Sequence, residues 1–133
     1  MCNLYRITTG FEAMRDLFKG IGNRTNKTEF DDNIYPDYPA PIARKDKDGD
    51  LELAMLRWGM PTPDEYLKPN KKTGVVVDSG VTNIRNTWAD HWKPWLETEQ
   101  RCIVPATQFS EYSETPDPAT KRKTLHWFAL NED

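Results

Sequence analysis

The chain has 133 residues, which is enough for one domain with a modest core, and it carries a net charge of −3. The negative charge argues against a protein that binds nucleic acid over its whole surface, because such proteins are typically basic, but a local basic groove remains compatible with it. The N-terminus lacks the basic and apolar segments of a signal peptide, and no stretch reaches the length of a membrane span. We therefore expect a cytoplasmic protein without a membrane segment.

The composition predicts a folded protein with long polar loops. Hydrophobic residues make up 37% and charged residues 29%, so the apolar content is below the usual range. Five Trp, five Tyr and five Phe compensate in part, because each aromatic side chain buries a large area. Two cysteines are too few for a disulfide framework in a chain of this length.

The first predicted elements are a short strand over residues 3–7 and a helix that follows it. Thr9 and Glu12 have the spacing of a capping box, in which Thr9 is the N-cap residue. Apolar residues then recur at helical spacing as far as Gly20, which can end the helix. We expect the apolar side of this helix to pack into the core.

A β-hairpin is predicted in the middle of the chain. Residues 42–44 and 51–58 have the composition of strands, and the Asp-Gly pair within residues 46–50 is typical of a hairpin turn. The turn also resembles a calcium-binding loop, but the ligand positions of an EF-hand do not fit. A Trp-Gly-Met-Pro sequence at residues 58–61 then changes the chain direction.

The second half of the chain contains short elements separated by polar loops. We predict a short strand at 74–77, a Trp-rich helix at 90–96, two short strands or one bent strand over 102–105 and 108–112, and a final strand at 125–130. Many short strands with few helices favour an α+β fold, and we expect one domain over residues 1–133 with a curved, barrel-like sheet that is mainly antiparallel or mixed.

The position of Cys2 next to the initiator Met gives it unusual potential reactivity. Removal of the initiator Met, which is usual before a small residue, leaves Cys2 with a free α-amine and a thiol on one residue. Ordinary pKa values of about 7.7–8.0 for the amine and about 8.5 for the thiol give both groups an accessible nucleophilic form near neutral pH. The amine can form a Schiff base with an aldehyde, and the thiol can then close a thiazolidine ring. Without further evidence, a small residue that opens a strand is the simpler interpretation.

Four features in order along the chain resemble the SRAP (SOS-response-associated peptidase) family. They are Cys2, the Trp-Gly-Met-Pro turn at 58–61, the Asn-x-Arg motif at 83–85, and the Arg-Cys-Ile-Val-Pro segment at 101–105 with Phe-Ser-Glu-Tyr at 109–112. The resemblance implies an enzyme-like sensor that binds abasic sites in single-stranded DNA and forms a thiazolidine crosslink through its N-terminal cysteine. It also implies peptidase-like processing of the N-terminus, and recruitment from the cytoplasm to the nucleoid after DNA damage.

The resemblance also implies roles for individual residues. Cys2 is the nucleophile, Asn83 holds the sugar or the N-terminus, and Glu111 transfers protons during Schiff-base formation and reversal. Arg85 contacts a flanking phosphate, a role for which guanidinium geometry is well suited. Trp58 is the residue that we expect to stack on a base, although core packing explains a tryptophan at this position equally well. No cofactor or metal is implied.

Two departures from the family pattern are visible. Neither His91 nor His126 occupies the position of the family's C-terminal catalytic histidine, and Asn86-Thr87 replaces the usual Glu-Thr pair after the Asn-x-Arg motif. We therefore expect the chain to correspond to the N-terminal portion of the family domain. We also expect its last apolar strand to expose an unpaired edge, which favours self-association.

Other functions are also compatible with the sequence. Cys2 and Glu111, with a histidine from elsewhere, could form the site of an N-terminal-nucleophile amidase or peptidase. Alternatively, the chain binds single-stranded DNA without catalysis through Arg85, three lysines at 68, 71 and 72, and the basic cluster at 121–123. A zinc site is disfavoured because the two cysteines and two histidines lack ligand spacing, and we expect Cys102 to be buried within a strand.

Overall fold

The computed structural model describes residues 4–19, 21–23 and 29–130. The described residues contain one α-helix, eight strands and three 3-10 helices. Their bounds are α1 (Phe11–Leu17), β1 (Leu4–Arg6), β2 (Gly22–Asn23), β3 (Asn33–Ile34), β4 (Pro39–Lys45), β5 (Leu51–Arg57), β6 (Cys102–Ile103), β7 (Gln108–Tyr112), β8 (Leu125–Ala129), and the 3-10 helices Asp64–Tyr66, Asp90–Trp95 and Thr98–Gln100.

The strands form two four-stranded sheets. The first has the order β3-β1-β7-β8, and all of its neighbours are antiparallel. The second has the order β2-β5-β4-β6, with β2 parallel to β5 and the other pairs antiparallel. This arrangement confirms the predicted α+β fold with mainly antiparallel strands and few short helices. Within the described ranges, the strands lie in two sheets rather than in one closed barrel.

The core lies where α1 and the two sheets meet. The first sheet contributes Tyr5 and Ile34, α1 contributes Phe11 and Met14, and the second sheet contributes Leu53. All five residues are buried, and Ile34 and Leu53 have no exposed surface. The packing of α1 against the sheets confirms that its apolar side faces the core.

The capping box predicted at the start of α1 is wrong. The N-cap is Gly10, which has an extended backbone and makes no side-chain capping hydrogen bond. Because the helix starts one residue later than predicted, Glu12 occupies the second helical position instead of the third that a capping box requires. The helix ends at Leu17, before Gly20, which lies outside the described residues.

The central hairpin forms as predicted, and local polar contacts fix its turn. The carboxylate of Asp46 accepts hydrogen bonds from the backbone N–H groups of Asp48 and Asp50. Across the two strands, Arg44 faces Glu52 in the register and its Nε donates to Oε1 at 2.9 Å. The calcium-loop likeness is thus explained by a hairpin turn in which Asp46 binds the backbone.

Several elements of the second half are shorter than predicted. The predicted strand at 74–77 is reduced to a single bridge between Pro69 and Val76. The Trp-rich segment is a 3-10 helix, Asp90–Trp95, with Pro94 inside it, where proline lacks the N–H that an α-helix would use. No helix in the described part of the chain has both the length and the apolar character needed to cross a membrane.

Candidate functional site

A cavity of about 600 Å³ lies between the two sheets. Tyr5 of β1 and Phe109 of β7 line it from the first sheet, and Ile42 of β4 and Leu56 of β5 line it from the second. The loops around residues 58–60, 81–83 and 100–106 complete its wall. Its volume falls within the usual range of about 300–1,000 Å³ for ligand sites, and its wall is mainly apolar with a few polar groups.

Two of the residues predicted from the sequence meet at this cavity. Trp58 follows β5 directly, and Asn83 comes from a loop that is distant in sequence, yet both line the same wall. Trp58 is half-buried and packs edge-on against Tyr5, with ring centroids 5.1 Å apart. Trp58 therefore packs against the core and also lines the cavity, while its stacking on a base stays a prediction. Asn83 is exposed, which leaves its amide accessible to a ligand.

The loop that carries Asn83 reaches the cavity through a close crossing of two glycines. A Cβ atom on Gly80, where φ is +80°, would lie only 2.9 Å from the Cα of Gly59. This contact is shorter than real Cβ contacts, so the crossing requires glycine at position 80. Directly beyond it, Met60 and Val81 exchange two backbone hydrogen bonds of 2.9 and 2.7 Å. The chain then continues through Thr82 to Asn83.

Asp78 fixes this crossing from the other side. Its carboxylate accepts hydrogen bonds from the N–H and the hydroxyl of Thr62 and from the N–H of Gly80, at 3.0, 2.5 and 2.8 Å. These hydrogen bonds, with those from Thr62 the strongest, lower the pKa of Asp78. Arg57 donates to the backbone carbonyl of Asp78 and also pairs with Asp37. The segment that precedes Asn83 is therefore anchored to the C-terminal end of β5 and to the turn that follows it.

Glu111 lies near the cavity but does not line it. It is half-buried on β7, two residues beyond the cavity residue Phe109, so the two side chains project from the same face of the sheet. Arg85 is exposed and lies two residues beyond Asn83. The structure thus brings Trp58 and Asn83 together, places Glu111 at an adjacent position on the first sheet, and leaves Arg85 on the surface nearby in sequence.

Cys2 lies outside the described residues, so its predicted role as nucleophile remains a prediction. The strand that follows Cys2 is β1, which pairs with β7 so that Leu4 lies opposite Ser110. The Ser110 hydroxyl donates to the Leu4 carbonyl at 3.0 Å and is fully buried. Since the pairing is antiparallel, the N-terminal direction of β1 corresponds to the direction of Glu111 on β7.

An exposed aromatic pair was missed in the sequence. Phe109 and Phe128 face each other across β7 and β8, with ring centroids 5.1 Å apart and nearly parallel planes. Both side chains remain 47% exposed. On the opposite face of the sheet, the Arg6 guanidinium lies 4.1 Å from the ring centroid of Trp127. The alternation within residues 108–112 and 125–129 could have indicated the Phe pair, but only the strand register shows that its members are opposite each other.

The expectation that Cys102 is buried within a strand is wrong. Cys102 begins β6, one of the two outer strands of the second sheet, and is exposed although its side chain contributes to the cavity wall. Partial burial raises the pKa of its thiol, and the nearby Arg44 acts in the opposite direction. An edge strand of two residues has only one neighbouring strand to cover it, which explains the exposure.

The two histidines occupy different environments. His91 packs edge-on against Trp92, and its Nε2 lies 3.0 Å from the carbonyl oxygen of Pro61, so it supports the turn beside the cavity. His126 is exposed on β8, directly opposite Glu111 on β7. Within the described residues, no group of three or more His, Cys, Asp or Glu side chains is arranged to hold a metal ion.

The basic residues considered for DNA binding lie on the surface. Lys68, Lys71 and Lys72 are exposed in the loop between the Asp64–Tyr66 helix and the Asp78 segment. The cluster at 121–123 is exposed in the turn between β7 and β8. These positions are consistent with contacts to a phosphate backbone, but solvated turns have the same appearance.

Comparison with known proteins identifies the family. The family described as SOS response associated peptidase (SRAP) matches over residues 1–133, and the chain therefore belongs to the SRAP family. The description of this family links it to the SOS response. No protein with a curated description is similar enough to count as a match.

Among solved structures, the chain is similar to the X-ray crystal structure of a protein from Bordetella bronchiseptica. The identity is 22% and the TM-score is 0.49. The alignment covers 93% of this chain and 55% of the Bordetella protein, so this chain spans little more than half of that protein's length.

Proposed function

We propose that this chain is a sensor of abasic sites in single-stranded DNA that forms a covalent thiazolidine with the abasic aldehyde through Cys2. The observation that carries the proposal is the register of β1 on β7. Because Leu4 pairs with Ser110 in an antiparallel register, the N-terminal end of β1 lies beside the part of β7 that leads to Glu111, near a cavity lined by Trp58 and Asn83. Two peptide units reach at most about 7 Å from Leu4, so the backbone tethers Cys2 to this region.

The chemistry needs an amine, a thiol and a group that moves protons. The α-amine of Cys2 adds to the aldehyde carbon, and the resulting carbinolamine loses water when an acid protonates its hydroxyl group. Loss of water leaves an iminium ion whose nitrogen keeps its hydrogen. The thiol sulfur then attacks the iminium carbon, the C=N electron pair moves onto the nitrogen, and the thiol proton passes to a base. The products are one thiazolidine ring and one water, and no oxidant or reductant is needed.

Glu111 is suited to both proton transfers. As a carboxylic acid it protonates the departing hydroxyl, and as the carboxylate it then accepts the thiol proton, so it returns to its starting state. Its half-buried position on a strand limits the orientations of its side chain. The ring of Trp58 offers a surface for a base, and the exposed amide of Asn83 offers a donor and an acceptor to the sugar.

The flanking strand would be held by positive charge. Arg85, exposed two residues after Asn83, is a candidate phosphate ligand in this arrangement. We place the activity in the cytoplasm, on DNA exposed by damage. Exposure of the Cys2 amine requires removal of Met1, and autocatalytic N-terminal processing is part of this proposal.

The test is the intact mass of the protein after incubation with single-stranded DNA that contains one abasic site. We expect a denaturation-resistant adduct with the mass of protein plus DNA minus one water. Cys2→Ala removes the adduct, whereas the matched variant Cys102→Ala retains it, although Cys102 also contributes to the cavity wall. An adduct of equal yield in Cys2→Ala would overturn the proposal.

The same samples separate the alternative functions. An N-terminal-nucleophile hydrolase would turn over peptide or amide substrates in a Cys2-dependent manner without DNA. A binding-only protein would retain DNA with strong salt dependence and give no adduct even when the mass shows that Met1 is absent. Either result in place of the adduct would contradict the crosslinking proposal.

A further inference from the structure

A second, smaller cavity of about 260 Å³ adjoins the candidate cavity. Four residues line both of them: Leu56, Met60, Gln100 and Cys102. Ile42 on β4 lines the first cavity, and Arg44, two residues further along the same strand, lines the second. Because alternate residues of a strand project from one face, the two cavities lie side by side on one face of the second sheet.

The loop that carries Asn83 leads from the first cavity to the second. Asn83 lines the first cavity, and the next residue, Ile84, lines the second. Arg85 then follows on the surface. A DNA strand with its abasic sugar at Asn83 and a phosphate at Arg85 would therefore have the second cavity beside a neighbouring nucleotide.

An aromatic ring and a guanidinium group are held in place at the second cavity. Trp95 lines it and is half-buried, with its ring centroid 5.3 Å from that of His91 and 6.4 Å from that of Trp92. Arg101 also lines it, and its Nη2 donates to the carbonyl oxygen of Leu96 at 3.2 Å. Since that acceptor is uncharged, the positive charge of the exposed Arg101 stays available to a ligand.

We propose that the second cavity binds a nucleotide next to the abasic site, with its base against Trp95 and its phosphate at Arg101. This inference rests on the proposed function and extends it to the DNA that flanks the lesion. Stacking of bases on aromatic side chains along a positively charged groove is the usual way in which proteins hold single-stranded DNA. The guanidinium fork of arginine matches the oxygens of a phosphate.

The other charged groups of the second cavity favour a base over a second phosphate. Arg44 donates through its Nε to Glu52 at 2.9 Å, so part of its charge is already balanced. Glu99 is exposed and lines the same cavity. A carboxylate repels a phosphate, but it can accept a hydrogen bond from the exocyclic amino group of cytosine. The lining thus suits one phosphate, at Arg101, together with a base.

The base contact is tested with single-stranded DNA that carries a tetrahydrofuran in place of the abasic sugar. This probe has no aldehyde, so fluorescence anisotropy reports binding without crosslinking. Trp95→Ala should weaken binding by at least about fivefold, the lower limit for one stacked base. Trp95→Phe keeps an aromatic face and should retain most of the affinity. Equal affinities for the unaltered chain and Trp95→Ala would overturn the base contact.

Removal of a base from the DNA shows which nucleotide is bound. A second tetrahydrofuran replaces the neighbouring nucleotide, first on the 5′ side and then on the 3′ side of the lesion. On one side the loss of the base should weaken binding to the unaltered chain by at least about fivefold, and it should have little further effect on Trp95→Ala. Equal losses in both proteins on both sides would show that Trp95 does not hold that base.

The phosphate contact is tested by the salt dependence of binding. Arg101→Gln should lower the slope of the logarithm of the binding constant against the logarithm of the salt concentration by about one, the value for one phosphate contact. Arg122→Gln is the matched control, because Arg122 is exposed in the turn between β7 and β8 and lines neither cavity. Equal slopes for the two variants would overturn the role of Arg101. If circular dichroism shows that Trp95→Ala is unfolded, Trp95→Phe with and without the neighbouring base, together with Arg101→Gln, decides the inference.

The outcomes distinguish this inference from the proposed function. Adduct formation with abasic DNA, combined with no effect of either Trp95→Ala or Arg101→Gln on binding, overturns the second cavity as a nucleotide site and leaves the proposed function in place. The expected effects on binding, combined with no adduct from a chain without Met1, overturn the proposed crosslinking and support the second cavity. A chain that does not bind single-stranded DNA overturns both.

Discussion

The two halves of the first sheet carry similar side chains in opposite environments. On β1 and β3, the face that includes Tyr5 and Ile34 is covered by α1 and the second sheet, and both residues are buried. On β7 and β8, the same face continues with Phe109 and Phe128, and both are 47% exposed. The cavity lies at the boundary, where Tyr5 and Phe109 both contribute to its wall. One continuous sheet face therefore serves as core on one side and as candidate site on the other.

The largest effect on stability is expected in the buried half. Ile34→Ala removes a fully buried side chain and leaves a cavity, so we expect a loss of about 2–5 kcal/mol in the free energy of unfolding. Phe128→Ala is the matched change in the exposed half and should cost about 1 kcal/mol, mainly the lost stacking on Phe109. Urea unfolding of both variants measures the difference. Equal losses would show that the two halves are not distinct in the way the structure indicates.

The next largest loss in the free energy of unfolding is expected at the crossing of Gly59 and Gly80. Gly80→Ala combines a positive φ of +80° with a contact of 2.9 Å to the Gly59 Cα, so the loop must move. Gly74→Ala is the matched control, because its φ is +70° but no atom lies within 4 Å of the added Cβ. We expect Gly74→Ala to lose about 1 kcal/mol from backbone strain and Gly80→Ala to lose about 1–3 kcal/mol more. Chemical unfolding gives both values, and similar losses would mean that the crossing is not tight.

The same crossing should also affect the rate at which the protein forms an adduct with DNA. Because Gly80 precedes Asn83 by three residues, Gly80→Ala should also slow adduct formation, whereas Gly74→Ala should not. If Gly80→Ala retains the full rate at a temperature where it is folded, the position of Asn83 does not depend on the crossing.

Trp58 should contribute more to the affinity for single-stranded DNA than a tryptophan on the open surface. Trp58→Ala should weaken binding of single-stranded DNA by about 1–3 kcal/mol, the usual contribution of one stacked base. Trp88 is 76% exposed and does not line the cavity, so Trp88→Ala should have little effect. Fluorescence anisotropy with a labelled oligonucleotide compares the two, with circular dichroism as a check that Trp58→Ala remains folded. Equal affinities for both variants would leave Trp58 with a packing role alone.

A smaller effect is expected from the carboxylate that anchors the Asn83 loop. Hydrogen bonds from Thr62 and Gly80 lower the pKa of Asp78 in the folded protein. They therefore stabilise the fold above the unfolded-state pKa of about 3.9, and this contribution is lost as the pH falls through the lower folded value. Asp78→Asn should reduce the loss of stability between pH 5 and pH 2, measured by thermal unfolding.

Asp117 provides a control at a distance from the site. Its pKa is also lowered, chiefly by hydrogen bonds from Thr120, in the turn between β7 and β8. Asp117→Asn should change the acid dependence of stability in the same direction as Asp78→Asn. Only Asp78→Asn should also slow adduct formation, and a similar slowing in both variants would contradict the assigned role of Asp78 in placing Asn83.

The sequence predicted most elements because their signals are local. The hairpin of β4 and β5 follows from two apolar runs around an Asp-Gly turn, and β8 follows from a compact apolar segment. Trp58 and Asn83 line the same cavity wall. Both belong to the ordered motifs on which the family resemblance rests.

Other features depend on pairings that are distant in the chain and could not be derived from local patterns. The crossing of Gly59 and Gly80, the stack of Phe109 on Phe128 and the juxtaposition of Glu111 with His126 all require a strand or loop register. The exposure of Cys102 follows from the place of β6 at the edge of its sheet. The predicted cap at Thr9 failed because a shift of one residue changes the position of Glu12 within the helix.

The apolar final strand predicts self-association of the protein through the edge of β8. Among the described strands, β8 is one of the two outer strands of the first sheet, and it carries the exposed Phe128. Sedimentation over a range of concentrations would measure any dimer, and Phe128→Ala should weaken it. A monomer at all concentrations would show that this edge does not drive association.

The central claim is that the aminothiol of Cys2 attacks the abasic aldehyde. The most direct measurement is the site of attachment, obtained by digesting the adduct with protease and nuclease and sequencing the modified peptide by tandem mass spectrometry. The account predicts a sugar remnant on an N-terminal peptide that begins with Cys2, attached through both the amine and the sulfur. A remnant on a lysine side chain, or on Cys102, would contradict it.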